Sequence, residues 1–366
     1  MQASSPVFTD AVVIGAGQSG LAAAYYLQQQ PVAFVVLDDR PAVGDVWATR
    51  YQSLRLFSPA WASGLPGLGW PANASYYPTK DEAARYLRQY AAHFQLPVVT
   101  EQRVIRVEPV AGGFAVHTAA GGCYHTRRVL VCTGPYTAPS IPDFSAALPA
   151  SVQQFHSSQY QEPGQLPAGP VAVVGSGNSA LQIAADLATG SRPVYVAFDE
   201  QTPAVPNNTA TWLALLGTGL LKVPGHTWLG QYMRRQKEPV VRGDLRRLQR
   251  MPHVHFIGRA VSATPEGGLA GWRATTPPLQ GVVWATGYRP DYAWLQVPGA
   301  LTAEGKPRHF RGISPVPGLA FLGLDWLHTR RSALMGGATA DARYVVEQLL
   351  KRHNYAETTT HQSGLL

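Results

Sequence analysis

Cysteine is nearly absent: the 366-residue chain has two, Cys123 and Cys132. Their spacing offers no C-x-x-C pair, which excludes the dithiol relay of a thioredoxin-reductase-like enzyme. Cys132 ends the apolar run Val129-Leu130-Val131-Cys132, where a thiol serves as a small hydrophobe. Charge is sparse too, at 14% of residues against 45% hydrophobic, which fits a packed globular protein of two or three domains and excludes a disordered or fibrous chain. No apolar run approaches the ~18 residues of a membrane span, and the opening segment Met1 to Pro6 has neither the charged nor the apolar part of a secretion signal. The expectation is a soluble, cytoplasmic protein with no membrane span. His253 and His255 alternate along an apolar run without a third ligand nearby, so no metal site is expected.

Acidic residues are outnumbered, 22 against 30 basic, for a net charge of +8. Much of the excess lies in Arg234, Arg235, Lys237, Arg242, Arg246, Arg247 and Arg250. With no RNA- or DNA-binding motif beside it, this stretch reads as a solvated helix face, and no nucleic-acid partner is expected.

Glycine is plentiful, and twice it is placed in a phosphate-binding pattern. The segments Gly15-Ala16-Gly17-Gln18-Ser19-Gly20 and Gly175-Ser176-Gly177-Asn178-Ser179-Ala180 each follow an apolar strand-like run and open a helical one. Such a loop needs glycine for the tight turn and for close approach of the backbone to a pyrophosphate, while the helix N-H groups face the negative charge. After the first loop the strand Val32 to Leu37 delivers Asp38, at the place where an acid holds a ribose hydroxyl pair. After the second, the strand Val194 to Phe198 delivers Asp199 and Glu200, which favours the free 2′-hydroxyl of NADH over the phosphate of NADPH.

Between the loops, a helix from about Asp81 to Phe94 precedes three short alternating runs, Val104 to Val107, Phe114 to Thr118 and Cys123 to Arg127, which spell an antiparallel meander. The next strand ends in Thr133-Gly134, and a later one, Val282 to Ala285, ends in Thr286-Gly287; both pairs let the backbone pass close under a nucleotide. This order predicts an α/β protein with two Rossmann-like dinucleotide-binding domains, the first interrupted by the second. The expected boundaries are 1–145 and 285–366 for the outer domain and 146–284 for the inserted one.

Several motifs together resemble the flavin-containing monooxygenases. They are the two loops, Gly44-Asp45-Val46-Trp47, His156-Ser157-Ser158-Gln159-Tyr160, the Ala-Thr-Gly-Tyr turn at 285–288, and Arg50 to Pro59 with Leu65-Pro66-Gly67 and Tyr77-Pro78-Thr79-Lys80. The pattern is most similar to a small bacterial branch related to arsenical-oxidising and plant auxin-forming flavin monooxygenases. The resemblance implies FAD on the first loop, with Gly15, Gly17, Ser19 and Gly20 at the pyrophosphate, Asp38 at the ribose, and Gly44 and Trp47 lining the cofactor. It implies NAD(P)H on the second, held by Gly175, Gly177, Asn178, Ser179 and Ala180 with Ser157 and Tyr160 close by. Phe321 to Asp325 then returns to the flavin before a closing helix from about Thr339.

The implied reaction is NAD(P)H reduction of FAD, formation of a C4a-hydroperoxide with O2, and oxygen transfer to a sulfur, amine or arsenic(III) centre of a small molecule. No side chain is required as acid or base. The same two loops also suit a reductase feeding a protein or quinone, or a nucleotide-binding redox sensor. Two family features are missing: the F-x-G positions before His156 hold Ala150 and Val152, and Phe57 stands where many relatives have Asn. The apolar segment Thr211 to Leu216, continuing to Trp228-Leu229, reads as a substrate lid, a buried helix or a homodimer contact.

Overall fold

The computed structural model describes residues 5–71 and 76–362, with side chains as far as residue 351. The chain opens with β1 (Val7–Ile14), α1 (Gln18–Gln28), β2 (Phe34–Leu37), the short α2 (Asp45–Ala48), α3 (Lys80–His93) and β3 (Val98–Val99), followed by β4 (Val104–Val110), β5 (Gly113–Thr118) and β6 (Cys123–Val131). A short β7 (Ala138–Pro139) leads to β8 (Gln153–His156), β9 (Val171–Val174), α4 (Asn178–Leu187), β10 (Val194–Ala197), β11 (Ala204–Val205), α5 (Thr209–Gly217), α6 (Trp228–Arg235), β12 (Val240–Val241) and α7 (Arg242–Gln249). The strands β13 (Val254–Phe256), β14 (Ala260–Ala263), β15 (Leu269–Gly271) and β16 (Gly281–Trp284) complete this part, before β17 (Tyr288–Arg289), β18 (Leu319–Phe321) and α8 (Ala338–Gln362).

Two sheets result. The outer one runs β3-β2-β1-β6 in parallel, and β6 has divided partners on its far side. Its first half pairs antiparallel with β5, through Cys123 to Thr126, and its last three residues pair parallel with β18. The sequence suggests two strands there, Cys123 to Arg127 and Val129 to Cys132. One continuous strand is formed because β1 pairs along its whole length, from Val7 with Tyr124 to Ile14 with Val131.

Alternation along these strands makes three layers. Ala11, Val13, Leu130 and Cys132 pack with α1, α3 and α8, while Val12, Ile14, Val129 and Val131 pack with meander residues Val107, Phe114 and Val116 and with Tyr292 and Leu295. The inserted sheet, β13-β10-β9-β16-β8, is parallel throughout. Val171, Val173 and Val196 meet α4 and α7 on one face, and Val174, Val282 and the fully buried Trp284 meet the β14–β15 hairpin on the other. The fold is therefore the doubly nucleotide-binding α/β architecture expected of the sequence.

The chain passes between the sheets twice, and the two passages pair as antiparallel β7 and β17. His156, 0% exposed, stands at this joint. Its Nε2 lies 2.9 Å from the Gly287 carbonyl, which can only accept, so Nε2 carries the proton; Nδ1 accepts from the Ser158 amide at 3.2 Å. The ring meets Tyr288 edge-on at 4.8 Å, and the Tyr288 hydroxyl accepts from Arg50. Burial holds the imidazole below its ordinary pKa. The unfolded state takes up a proton as pH falls through about 6.5 and the folded state does so only lower, so this residue costs stability progressively below that pH. In urea unfolding, the stability advantage of wild type over His156→Gln narrows as pH falls from 7.5 to 5.5; an advantage that stays constant or widens contradicts this.

Candidate active site

β1 ends at Ile14 and the backbone turns at Gly15 with φ +102°. A Cβ on Gly15 would lie 2.8 Å from the Cys132 carbonyl oxygen, and one on Gly20 would lie 1.8 Å from the Gly15 carbonyl oxygen. These two glycines serve the turn and the packing of α1 on β1. At Gly17 a Cβ would meet nothing within 4 Å; it borders free space. α1 has no capping side chain at Gly17 and no acid in its first turn, whereas α3 carries a full capping box, Thr79 with Glu82. The leading N-H groups of α1 therefore meet that space without a protein anion to neutralise them.

Asp38, at the end of β2, accepts from the Ala16 amide at 2.5 Å and the Arg40 amide at 2.9 Å. Burial pushes its carboxyl up from the ordinary range, and the two amides pull it back. Around these groups lies a slot of about 600 Å³, walled by Asp38, Arg40 and Arg103 at the β2 end, by Gly15, Gly17 and Ser19 at the loop, and by Thr133 and Gly134. Arg50, Asp325 and Ser332 belong to the same walls. Gly323, at φ +75°, brings the exit of β18 against Ser19, where a Cβ would lie 2.7 Å from the hydroxyl oxygen.

Not every residue implied by the resemblance reaches the slot. Gly44 has φ +87°, and a Cβ there would sit 2.5 Å from the Ala84 carbonyl oxygen, so it packs α2 onto α3. Trp47 packs against the core with its indole N-H unpaired. The wall at this point is made by Val46 and Arg50 instead. Both lie within the quoted motifs, but the side of α2 they occupy is not readable from spacing.

The second loop repeats the first. Gly175 has φ +151°, and a Cβ on it would come within 2.2 Å of the Ala285 carbonyl oxygen, while at Gly177 nothing lies within 4 Å. α4 likewise begins without a capping side chain or an acid in its first turn. Asn178 accepts from the Val241 amide at 2.8 Å, and the Ser179 hydroxyl lies beside that of Tyr51. Thr286 donates to the Ser140 carbonyl, and Gly287 turns at φ +81° with open space beside it.

Ala180 and Tyr160 are fully buried, so neither can touch a nucleotide in this conformation. The Tyr160 hydroxyl donates to Asp186 at 3.0 Å and braces α4 from beneath. Ser157 is 6% exposed, with its amide on the Trp284 carbonyl at 2.9 Å. Asp199 stands at the end of β10, its amide on the Ser176 hydroxyl at 2.8 Å, and its carboxylate pairs with Lys237 at 2.7 Å. That ammonium holds the Asp199 carboxyl below the ordinary range. Glu200 is paired with Arg273. The acids that suggest NADH are thus already matched by cations.

Only Trp212 of α5 is buried, which excludes the buried-helix reading of that segment. Trp212 and Leu221 pack with Leu334, and Leu215, Leu216 and Trp61 join them. Leu334 adjoins Ser332 and Ala333, which line the slot. Phe57 is 43% exposed and outside those walls. α8, the closing helix, has the buried Asp341 in its first turn.

Two uncapped loop helices in one chain, one bordering a slot of about 600 Å³, define an FAD- and NAD(P)-dependent oxidoreductase. Residues 12–214 match the family model described as pyridine nucleotide-disulphide oxidoreductase, and the chain belongs to that family. An uncharacterized CzcO-like oxidoreductase of Geobacillus kaustophilus is 40% identical over 93% of this chain and 98% of its own. The indole-3-pyruvate monooxygenase YUCCA4 of rice is 26% identical over 93% and 87%. A flavin-containing monooxygenase from Stenotrophomonas maltophilia superposes with a TM-score of 0.77 at 28% identity, covering 94% of this chain and 99% of that one. The protein is a flavin monooxygenase-like oxidoreductase.

The glycines separate stability from binding. Gly177→Ala changes the free energy of unfolding by less than about 0.5 kcal/mol but weakens nicotinamide nucleotide binding at least roughly tenfold, about 1.4 kcal/mol. Gly175→Ala costs about 1–3 kcal/mol from its backbone conformation alone. Urea unfolding and nucleotide titration on both variants check this, and a stable Gly175→Ala protein contradicts it.

Proposed function

We propose that this chain is an NAD(P)H-fed flavin monooxygenase that places one oxygen atom of O2 on a soft nucleophile, a sulfur, amine or arsenic(III) centre of a small, partly apolar molecule. The observation that carries the reading is the pairing of two phosphate loops whose helices begin uncapped with a site that has no dithiol. Despite the family's description, the chain has only two cysteines, and they lie at opposite ends of β6, roughly 30 Å apart at about 3.3 Å per residue. Burial also pushes the Cys132 thiol far up, so it supplies no thiolate. An internal dithiol relay is therefore ruled out. The relatives named as monooxygenases support oxygenation in its place.

Bound FAD would supply the redox and oxygen chemistry. The chain's own residues bind, orient and exclude water. The amides of Gly17 and of the first turn of α1 hold the FAD pyrophosphate, those of Gly15 and Ala16 being already given to Leu37 and Asp38; Asp38 receives the ribose, and Arg50 and Asp325 flank the remaining length of the slot. The second loop holds the nicotinamide dinucleotide, with the His156–Gly287 joint between the two sites. α5, through Trp212, Leu215 and Leu216 on Leu334, forms the apolar cover at the Ser332 end, where a substrate meets the flavin and water is kept out. The site needs no acid or base from the protein.

The test is anaerobic reduction of the yellow protein by NADPH or NADH, followed by admission of oxygen. A transient oxygen adduct is expected before the oxidised spectrum returns. With a thioether, an amine or arsenite present, close to one oxygenated product forms per nicotinamide consumed. Stoichiometric peroxide without product, or fast quinone reduction indifferent to oxygen, overturns the reading in favour of a reductase.

A further inference from the structure

The acid that suggests NADH does not stand free at the end of β10. Its carboxylate side chain is 11% exposed, one oxygen taking the Lys237 ammonium at 2.7 Å and the other the Gln201 amide at 3.0 Å. Lys237 is 44% exposed. A ligand arriving at this strand end therefore meets the cation before the acid. Arg259, stacked on Trp272 at 5.9 Å, also acts on Asp199, and Arg273 pairs with Glu200. Three cations face two carboxylates, a field that favours an anion.

Lys237 is held in place by its neighbours. β12, three residues on, pairs with β11, and the Val240 amide donates to the Pro203 carbonyl at 2.9 Å. The Val241 amide reaches Asn178 at the start of α4, and Glu238 pairs with Arg330 of the outer domain. The ammonium is thus fixed beside the second phosphate loop, where Ser176 already binds the Asp199 amide. From this arrangement we infer that Lys237, supplied by the α6–β12 connection, is the receptor for the 2′-phosphate of NADPH, and that the protein selects NADPH over NADH. Asp199 then orients the lysine. The strand end itself holds no arginine, so a residue 38 positions further along the chain takes that part. The inference rests on the second loop being the nicotinamide dinucleotide site.

Calorimetric titration of the FAD-loaded protein with 2′,5′-ADP and with 5′-ADP isolates the phosphate from the redox reaction. Wild type binds 2′,5′-ADP roughly tenfold tighter or better, as expected for a charge-assisted contact. In Lys237→Met this preference falls to within about twofold, and Lys237→Arg restores most of it. Equal or weaker binding of 2′,5′-ADP by wild type overturns the inference without any variant, and so does an undiminished preference in a folded, yellow Lys237→Met protein. Failure of both NADPH and NADH to reduce the flavin overturns the proposed monooxygenase function instead, and leaves the ADP comparison to decide the role of Lys237.

Discussion

At the start of α1 and again at the start of α4, backbone N-H groups point outward with no side chain to cap them and no acid to balance the helix dipole. A helix end of this kind is incomplete in water-poor surroundings and is satisfied by an anion. The surrounding structure is arranged around that requirement. β1 and β9 aim the helices, Gly15 and Gly175 make turns that no other residue fits, and Gly17 and Gly177 leave the approach open. α3, which has no such duty, carries an ordinary capping box.

The same constraint relates the two sites to each other. Both strands that leave the nucleotide sheets, after β6 and after β16, end in Thr-Gly and then join the paired passages β7 and β17. His156, Gly287, Tyr288 and Arg50 form one continuous set of contacts across this joint, from the inserted sheet to the wall of the slot at the first loop.

Features set by local pattern are legible in the sequence: the loops, because glycine has few substitutes in those turns, and the parallel strands, because full burial demands unbroken Val and Ala. Long-range pairing is not. Asp199 reads as a free acid because Lys237 is remote in the chain, and Tyr160 reads as a cofactor neighbour because nothing local reveals Asp186 beneath it. Trp47 follows the expected motif, yet the rotation of a one-turn helix decides that Val46 and Arg50 face the slot. α5 is apolar on every side, so its composition does not distinguish a covered face from an exposed one; only its contacts with Leu334 and Trp61 do.

The divided pairing of β6 has a consequence for synthesis. The inserted sheet is closed by strands within residues 153–284, all of them made before β18 leaves the ribosome. The outer sheet waits for residues 319–321 to lie beside Val129 to Val131, a loop of nearly 190 residues spanned by a unit already able to fold. The slot at the first loop is thus incomplete until the inserted sheet has been made, because Gly323, Asp325 and Ser332 of its walls follow β18 in the chain.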